Sequence, residues 1–98
     1  KLGITEDCPA IKPYEEKLWA TLYDNQLPVN ISVTLLHALH SRLFEVLNNL
    51  DEETWNRTVY HPESKTTMSL WYLLGSYAWH GKHHVAHITS LKEKMNWI

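Results

Sequence analysis

The sequence is short of most features that would give a chain of this size an obvious chemistry. It has one cysteine, Cys8, in 98 residues. A single thiol excludes an intrachain disulfide and suits a reducing, cytoplasmic setting. Cys8 precedes Pro9 in a loop, and nothing around it marks it as reactive. There is no basic run. Nine Lys and Arg are interspersed with eleven Asp and Glu, for a net charge of -2. That balance argues against a nucleic-acid face. No apolar stretch approaches the ~20 residues of a membrane span, and no signal-peptide pattern is present. Internal repeats and low-complexity tracts are absent. No Ser-His-Asp arrangement is legible. No initiator Met is present, and Lys1-Leu2-Gly3 is an abrupt start, which predicts a portion of a larger domain.

Histidine and large aromatics are what the chain does have. Five Trp and five Tyr in this length suggest a packed core or a pocket wall rather than disorder. Four of seven histidines fall within Ala78-Trp79-His80-Gly81-Lys82-His83-His84-Val85-Ala86-His87-Ile88. This stretch lies inside one predicted helix, 68–97. At ~100° per residue, Leu70, Leu73, Tyr77, Ile88, Leu91 and Met95 all fall within about 40° of His84. His84 is therefore central to the face the helix should bury. His80 lies about 40° to one side, one turn earlier. Imidazoles at i and i+4 on one face can reach a single divalent ion, and HxxxH is a recurring way to supply two metal ligands. Two histidines in register on an apolar stripe are also hard to explain as structural, because each buried ring needs polar partners. His83 and His87 form a second i,i+4 pair, rotated toward solvent. No Glu follows the first histidine, as it does in HExxH metalloproteases, so a general base is unassigned. His87 and His61 are candidates.

The remaining chain supports this helix. Pro13 opens a short helix over 12–23, with Glu15 and Glu16 near its positive end, burying Trp19 and Leu22. A second long helix spans 30–49, capped by Asn30 or Ser32, with Leu36, Leu39, Leu43, Leu47 and Leu50 as its stripe. His40 shares that stripe, either as a satisfied core histidine or as a residue facing the metal pocket. His37 belongs to the surface. Asp51 caps one extra turn over 51–56. Thr58-Val59-Tyr60 and Thr66-Thr67-Met68 favour extended backbone around a turn at Pro62-Glu63-Ser64-Lys65, consistent with a small hairpin. His61, just before that turn, is either a loop residue or one overhanging a pocket. Thr66 or Thr67 would cap the last helix. Gly81, on the border of the buried face, is either tolerated or leaves room for a helix, metal or substrate.

The expected fold is all-α: two long antiparallel helices plus short ones. Two helices cannot cover each other's stripes and also enclose a pocket, and a bundle usually takes four. Either a second copy or more chain is required. The metal count agrees. Catalytic zinc typically has three protein ligands and an open position. His80 and His84 supply two, and His40 is the one other inward histidine.

The last helix resembles the DinB-like superfamily of four-helix-bundle metalloproteins, closest to its branch of metal-dependent hydrolases and bacillithiol-transferase-like proteins. Pro9-Ala10-Ile11-Lys12-Pro13-Tyr14 with Glu16-Lys17 and Trp19, then Leu35-Leu36, Leu39-His40 and Arg42, and Tyr60-His61-Pro62 resemble the same branch. The resemblance implies an up-down four-helix bundle of which this chain is the C-terminal half. It implies a divalent metal, zinc or nickel, held by three histidines, two of them matching His80 and His84. The third would lie outside this chain. His40 matches a family histidine that is not a ligand. A homodimer is also implied. The function expected is a metal-dependent enzyme, hydrolase or thiol S-transferase, acting on a small molecule with water or a low-molecular-weight thiol as nucleophile. Tyr77, Trp79, Trp71 and Tyr60 are candidates for an aromatic pocket, with His40, His61 and His87 around it, but Trp71 and Trp79 lie off the central stripe by phase, which favours packing against other helices. The alternative is a non-catalytic, metal-stabilised helical-bundle interaction module.

Overall fold

The computed structural model describes residues 1–98. Its long elements are α3 (Val29–Asn48) and α5 (Leu70–Lys94). Around them are α1 (Leu2–Thr5), α2 (Glu16–Trp19), a 3-10 turn at Tyr23–Gln26, α4 (Glu52–Trp55), and strands β1 (Thr58–His61) and β2 (Thr66–Ser69). The two long helices lie close to the expected ranges, because their apolar stripes persist over five turns or more.

The all-α expectation needs correction. β1 and β2 pair antiparallel, with Val59 opposite Met68 and Tyr60 opposite Thr67. β-Branched residues on both sides of a Pro-led turn account for the hairpin. Tyr60 also makes an isolated parallel bridge to Ala10. Its N–H donates to the Pro9 carbonyl, and its carbonyl accepts from the Ile11 N–H at 2.8 Å. The hairpin thereby captures the N-terminal strap.

The short helix expected over 12–23 covers Glu16–Trp19 alone. A separate 3-10 turn follows it, with Leu22 extended between them. The Asn25 amide holds this break, donating to the Trp19 carbonyl at 2.8 Å and the Leu22 carbonyl at 3.1 Å. Trp19 and Leu22, expected to be buried, are 60% and 52% exposed.

Caps divide the same way. Asp51 caps α4 as expected, accepting from the Thr54 N–H at 2.8 Å. Helix α3 starts after Pro28 without a side-chain cap, so neither Asn30 nor Ser32 serves. Ser69 caps α5, through the Tyr72 N–H at 3.1 Å. Thr66 and Thr67 are taken up by strand pairing.

The buried interior is one corner. Gly3 and Val59 are its two buried residues. Arg57 closes it, its Nε donating to the Gly3 carbonyl at 2.9 Å and its Nη2 to the Glu6 carbonyl at 2.7 Å. Elsewhere the helices are open. The radius of gyration is 16.8 Å, against ~13 Å for a compact domain of about 100 residues. The chain exposes 8838 Å², where a compact monomer of its mass would expose about 5800 Å². Roughly 3000 Å² of surface therefore has no cover within this chain.

Candidate metal centre

His80 and His84 lie one turn apart on α5, a helix with no proline from Leu70 to Lys94. A rigid helix fixes the spacing of their Cβ atoms. Their rings meet edge to face, with centroids 4.4 Å apart. The two Nε2 atoms approach to 2.8 Å. Two nitrogens bound to one ion at 2.0–2.1 Å lie about 3.3 Å apart at a tetrahedral angle and about 2.9 Å apart at a right angle. The observed separation fits one ion held between them, with a slight opening of the pair. Without an ion, the contact is a hydrogen bond in which one Nε2 carries the proton. Metal ligation through both Nε2 atoms requires that proton to sit on Nδ1 instead.

No group of three His, Cys, Asp or Glu side chains gathers as a metal site within the chain. The fit is thus to two ligands of a set. Both histidines are exposed, which corrects the expectation that His84 is buried. Nothing in this chain covers the α5 stripe beyond Tyr77, and Ile88 and Met95 are 68% and 51% exposed.

The other candidates separate. His40 on α3 and Tyr77 on α5 share a 2.6 Å hydrogen bond from ring Nε2 to hydroxyl. They line a groove of about 490 Å³ between the helices, walled by Leu36, Leu39, Leu43 and Leu73. His40 is therefore satisfied by Tyr77 rather than joined to the histidine pair. Tyr77 is one turn before His80, so this polar pin lies beside the candidate centre.

His61 ends β1, and its Nδ1 faces the Ser64 N–H at 3.4 Å. A depression of about 830 Å³ runs from His61 and Ser64 to Tyr72 and Ser76. Ser76 is one turn before His80. His61 thus overhangs an open pocket, without a hydrogen bond to His80 or His84. His87 lies 6.3 Å from the His84 ring and 4.3 Å from the His83 ring.

Trp79 stacks on His83 at 4.7 Å, and Trp71 stacks on Trp55 at 4.4 Å. Neither ring enters the α3–α5 groove. No atom comes within 4 Å of a side chain added at Gly81. The His40–Tyr77 bond was not anticipated. Its one sequence signal is a polar group in the middle of each of two facing apolar stripes.

The family model described as the DinB superfamily matches residues 3–88. A protein of Oceanobacillus iheyensis named "Putative metal-dependent hydrolase OB0782" is 53% identical over 97 residues, covering 99% of this chain and 56% of its own length. A Bacillus mycoides protein with the same description is 50% identical, with the same coverage. The solved structure reported as "YfiT from Bacillus subtilis is a probable metal-dependent hydrolase with an unusual four-helix bundle topology" superposes with a TM-score of 0.90 at 42% identity. It too is matched over 99% of this chain and 56% of its own. The chain therefore spans about half the length of the curated relatives it matches.

Proposed function

This chain belongs to the DinB superfamily, and on that premise we propose that it contributes His80 and His84 to the divalent metal centre of an enzyme acting on a small molecule. The observation that carries this reading is the 2.8 Å approach of the two Nε2 atoms on one helix face. An ion held there supplies Lewis acidity and lowers the pKa of a nucleophile. Water as nucleophile gives hydrolysis. A low-molecular-weight thiol gives S-transfer to an electrophile. Relatives named as metal-dependent hydrolases support the first.

The chain's own residues hold and position. His80 and His84 bind through neutral ring nitrogens, which suit zinc or nickel. A third protein ligand comes from outside these residues. The groove between α3 and α5 is mainly apolar and takes the carbon skeleton of a substrate. His40 fixes the Tyr77 hydroxyl at its edge. The roughly 3000 Å² of surplus surface is of the size buried in permanent interfaces. It is covered by the remainder of a four-helix bundle, with a homodimer adding to that cover.

The test is metal content of protein purified without added metal or a histidine tag, beside a His80→Ala, His84→Ala double variant. Near-stoichiometric metal that is lost in the variant is expected. Co-purified metal that is undiminished in the variant relative to the parent overturns the site. A metal-dependent rate with monobromobimane and a thiol assigns S-transfer. Bound metal without a metal-dependent rate on ester, amide or thiol-acceptor substrates would favour a non-catalytic, metal-stabilised module.

A further inference from the structure

Helix α5 carries a second histidine pair that the centre above does not use. His83 and His87 are also one turn apart, and both are exposed. Their ring centroids are 4.3 Å apart, which nearly equals the 4.4 Å of His80 and His84. The Trp79 indole lies flat on His83, at 4.7 Å and 15° between planes. That stack restrains the His83 ring, and turning the two rings about their side-chain bonds can bring one nitrogen of each to a single ion. We propose that His83 and His87 form a second, solvent-facing transition-metal site, taking Cu(II), Ni(II) or Zn(II) with water in the remaining positions.

Geometry keeps this site separate from the first. The two pairs are offset by three residues, which is about 60° around the helix and ~4.5 Å along it. Ions held by each would lie roughly 8 Å apart. Bridged two-metal centres need about 3.5–4 Å. The pairs therefore act as two mononuclear sites on neighbouring faces. Imidazole nitrogens favour late first-row ions, with Cu(II) at the top of the affinity order. With two protein ligands, the outer site binds more weakly and exchanges faster than a three-histidine centre.

The proposal stands independently of the assigned function and is tested on the complete protein with Cu(II) alone. Stoichiometry is read by dialysis, and tryptophan emission follows binding. The His80→Ala, His84→Ala variant is expected to retain one Cu(II) per chain. Adding either His83→Ala or His87→Ala should weaken that binding by about tenfold or more, since each removes one of the two chelating nitrogens. Alanine suits an exposed helix position, so circular dichroism should be unchanged. Copper at the outer pair should quench Trp79, and Trp79→Phe should remove most of the emission change.

Failure of each reading is visible on its own. If the His80→Ala, His84→Ala variant binds no Cu(II), or if its binding survives loss of His83 and His87, the second site is overturned. If the His83→Ala, His87→Ala variant still takes one ion through His80 and His84, the first site stands regardless.

Discussion

Gly3→Ala probes the one closed corner of the fold, and its sign can be worked from distances. A Cβ at Gly3 would sit 2.8 Å from Leu70 Cδ2 and 3.0 Å from Val59 Cγ1. Carbon pairs are at ease at 3.5–4.0 Å, so both contacts overlap by about half an ångström or more. The Leu70 methyl ends a flexible side chain and can swing aside. Val59 cannot, because it is β-branched, 5% exposed and paired in β1. Overpacking of this kind costs about 1–3 kcal/mol. Against it stands the gain of about 0.5–1 kcal/mol from replacing Gly by Ala in a helix. The net is a loss of about 1 kcal/mol, read as a lower urea midpoint at unchanged slope. Gly75→Ala is the control. No atom lies within 4 Å of its added Cβ, so it should be neutral to stabilising by the propensity term alone. Val59→Ala should shrink the Gly3→Ala penalty by making room. If Gly3→Ala matched Gly75→Ala, the corner would be yielding freely and the steric account would be refuted.

Other outcomes follow from single contacts. Tyr77→Phe removes the 2.6 Å bond to His40 and should lower stability by about 1 kcal/mol. A double-mutant cycle with His40→Ala would then show coupling of about 0.5–1.5 kcal/mol, and zero coupling would show that the pin carries nothing. Arg57→Lys cannot reach the Gly3 and Glu6 carbonyls together, so it should cost about 1–2 kcal/mol and raise hydrogen exchange at α1. Hydrogen bonds from Thr54, first its side chain and then its backbone N–H, hold the Asp51 carboxyl below its ordinary value. The cap is therefore complete above the usual carboxylate range and is lost as pH falls through Asp51's own lowered pKa. An NMR titration should show the Thr54 amide following Asp51, and Asp51→Asn should abolish that response.

What could be read from the sequence was what is local. His80 and His84 are four residues apart, and helical phase alone puts them on one face. The hairpin followed from β-branched residues flanking Pro62-Glu63-Ser64-Lys65, although the all-α label passed over it. Asp51 worked as a cap because its partner, Thr54, is three residues on. The cap of α5 was misassigned because two equally good cap residues, Thr66 and Thr67, are claimed by pairing with β1. Propensity does not reveal that competition. Contacts between distant segments left no periodic trace. Arg57 reaches Gly3 across 54 positions, and His40 reaches Tyr77 across 37.

The same distinction bears on the proposed metal centre. A stripe predicts that a face will be covered, but it does not name the cover. His84 is therefore central to an apolar stripe and still exposed. Two ligands that one helix can position are legible in any piece containing that helix. A ligand brought in by tertiary packing is legible only with the packing partner. On the proposed reading, the surplus surface and the need for a further ligand have one cause. On that reading, the element that covers the open stripe of α5 passes beside His80 and His84 and carries the further ligand.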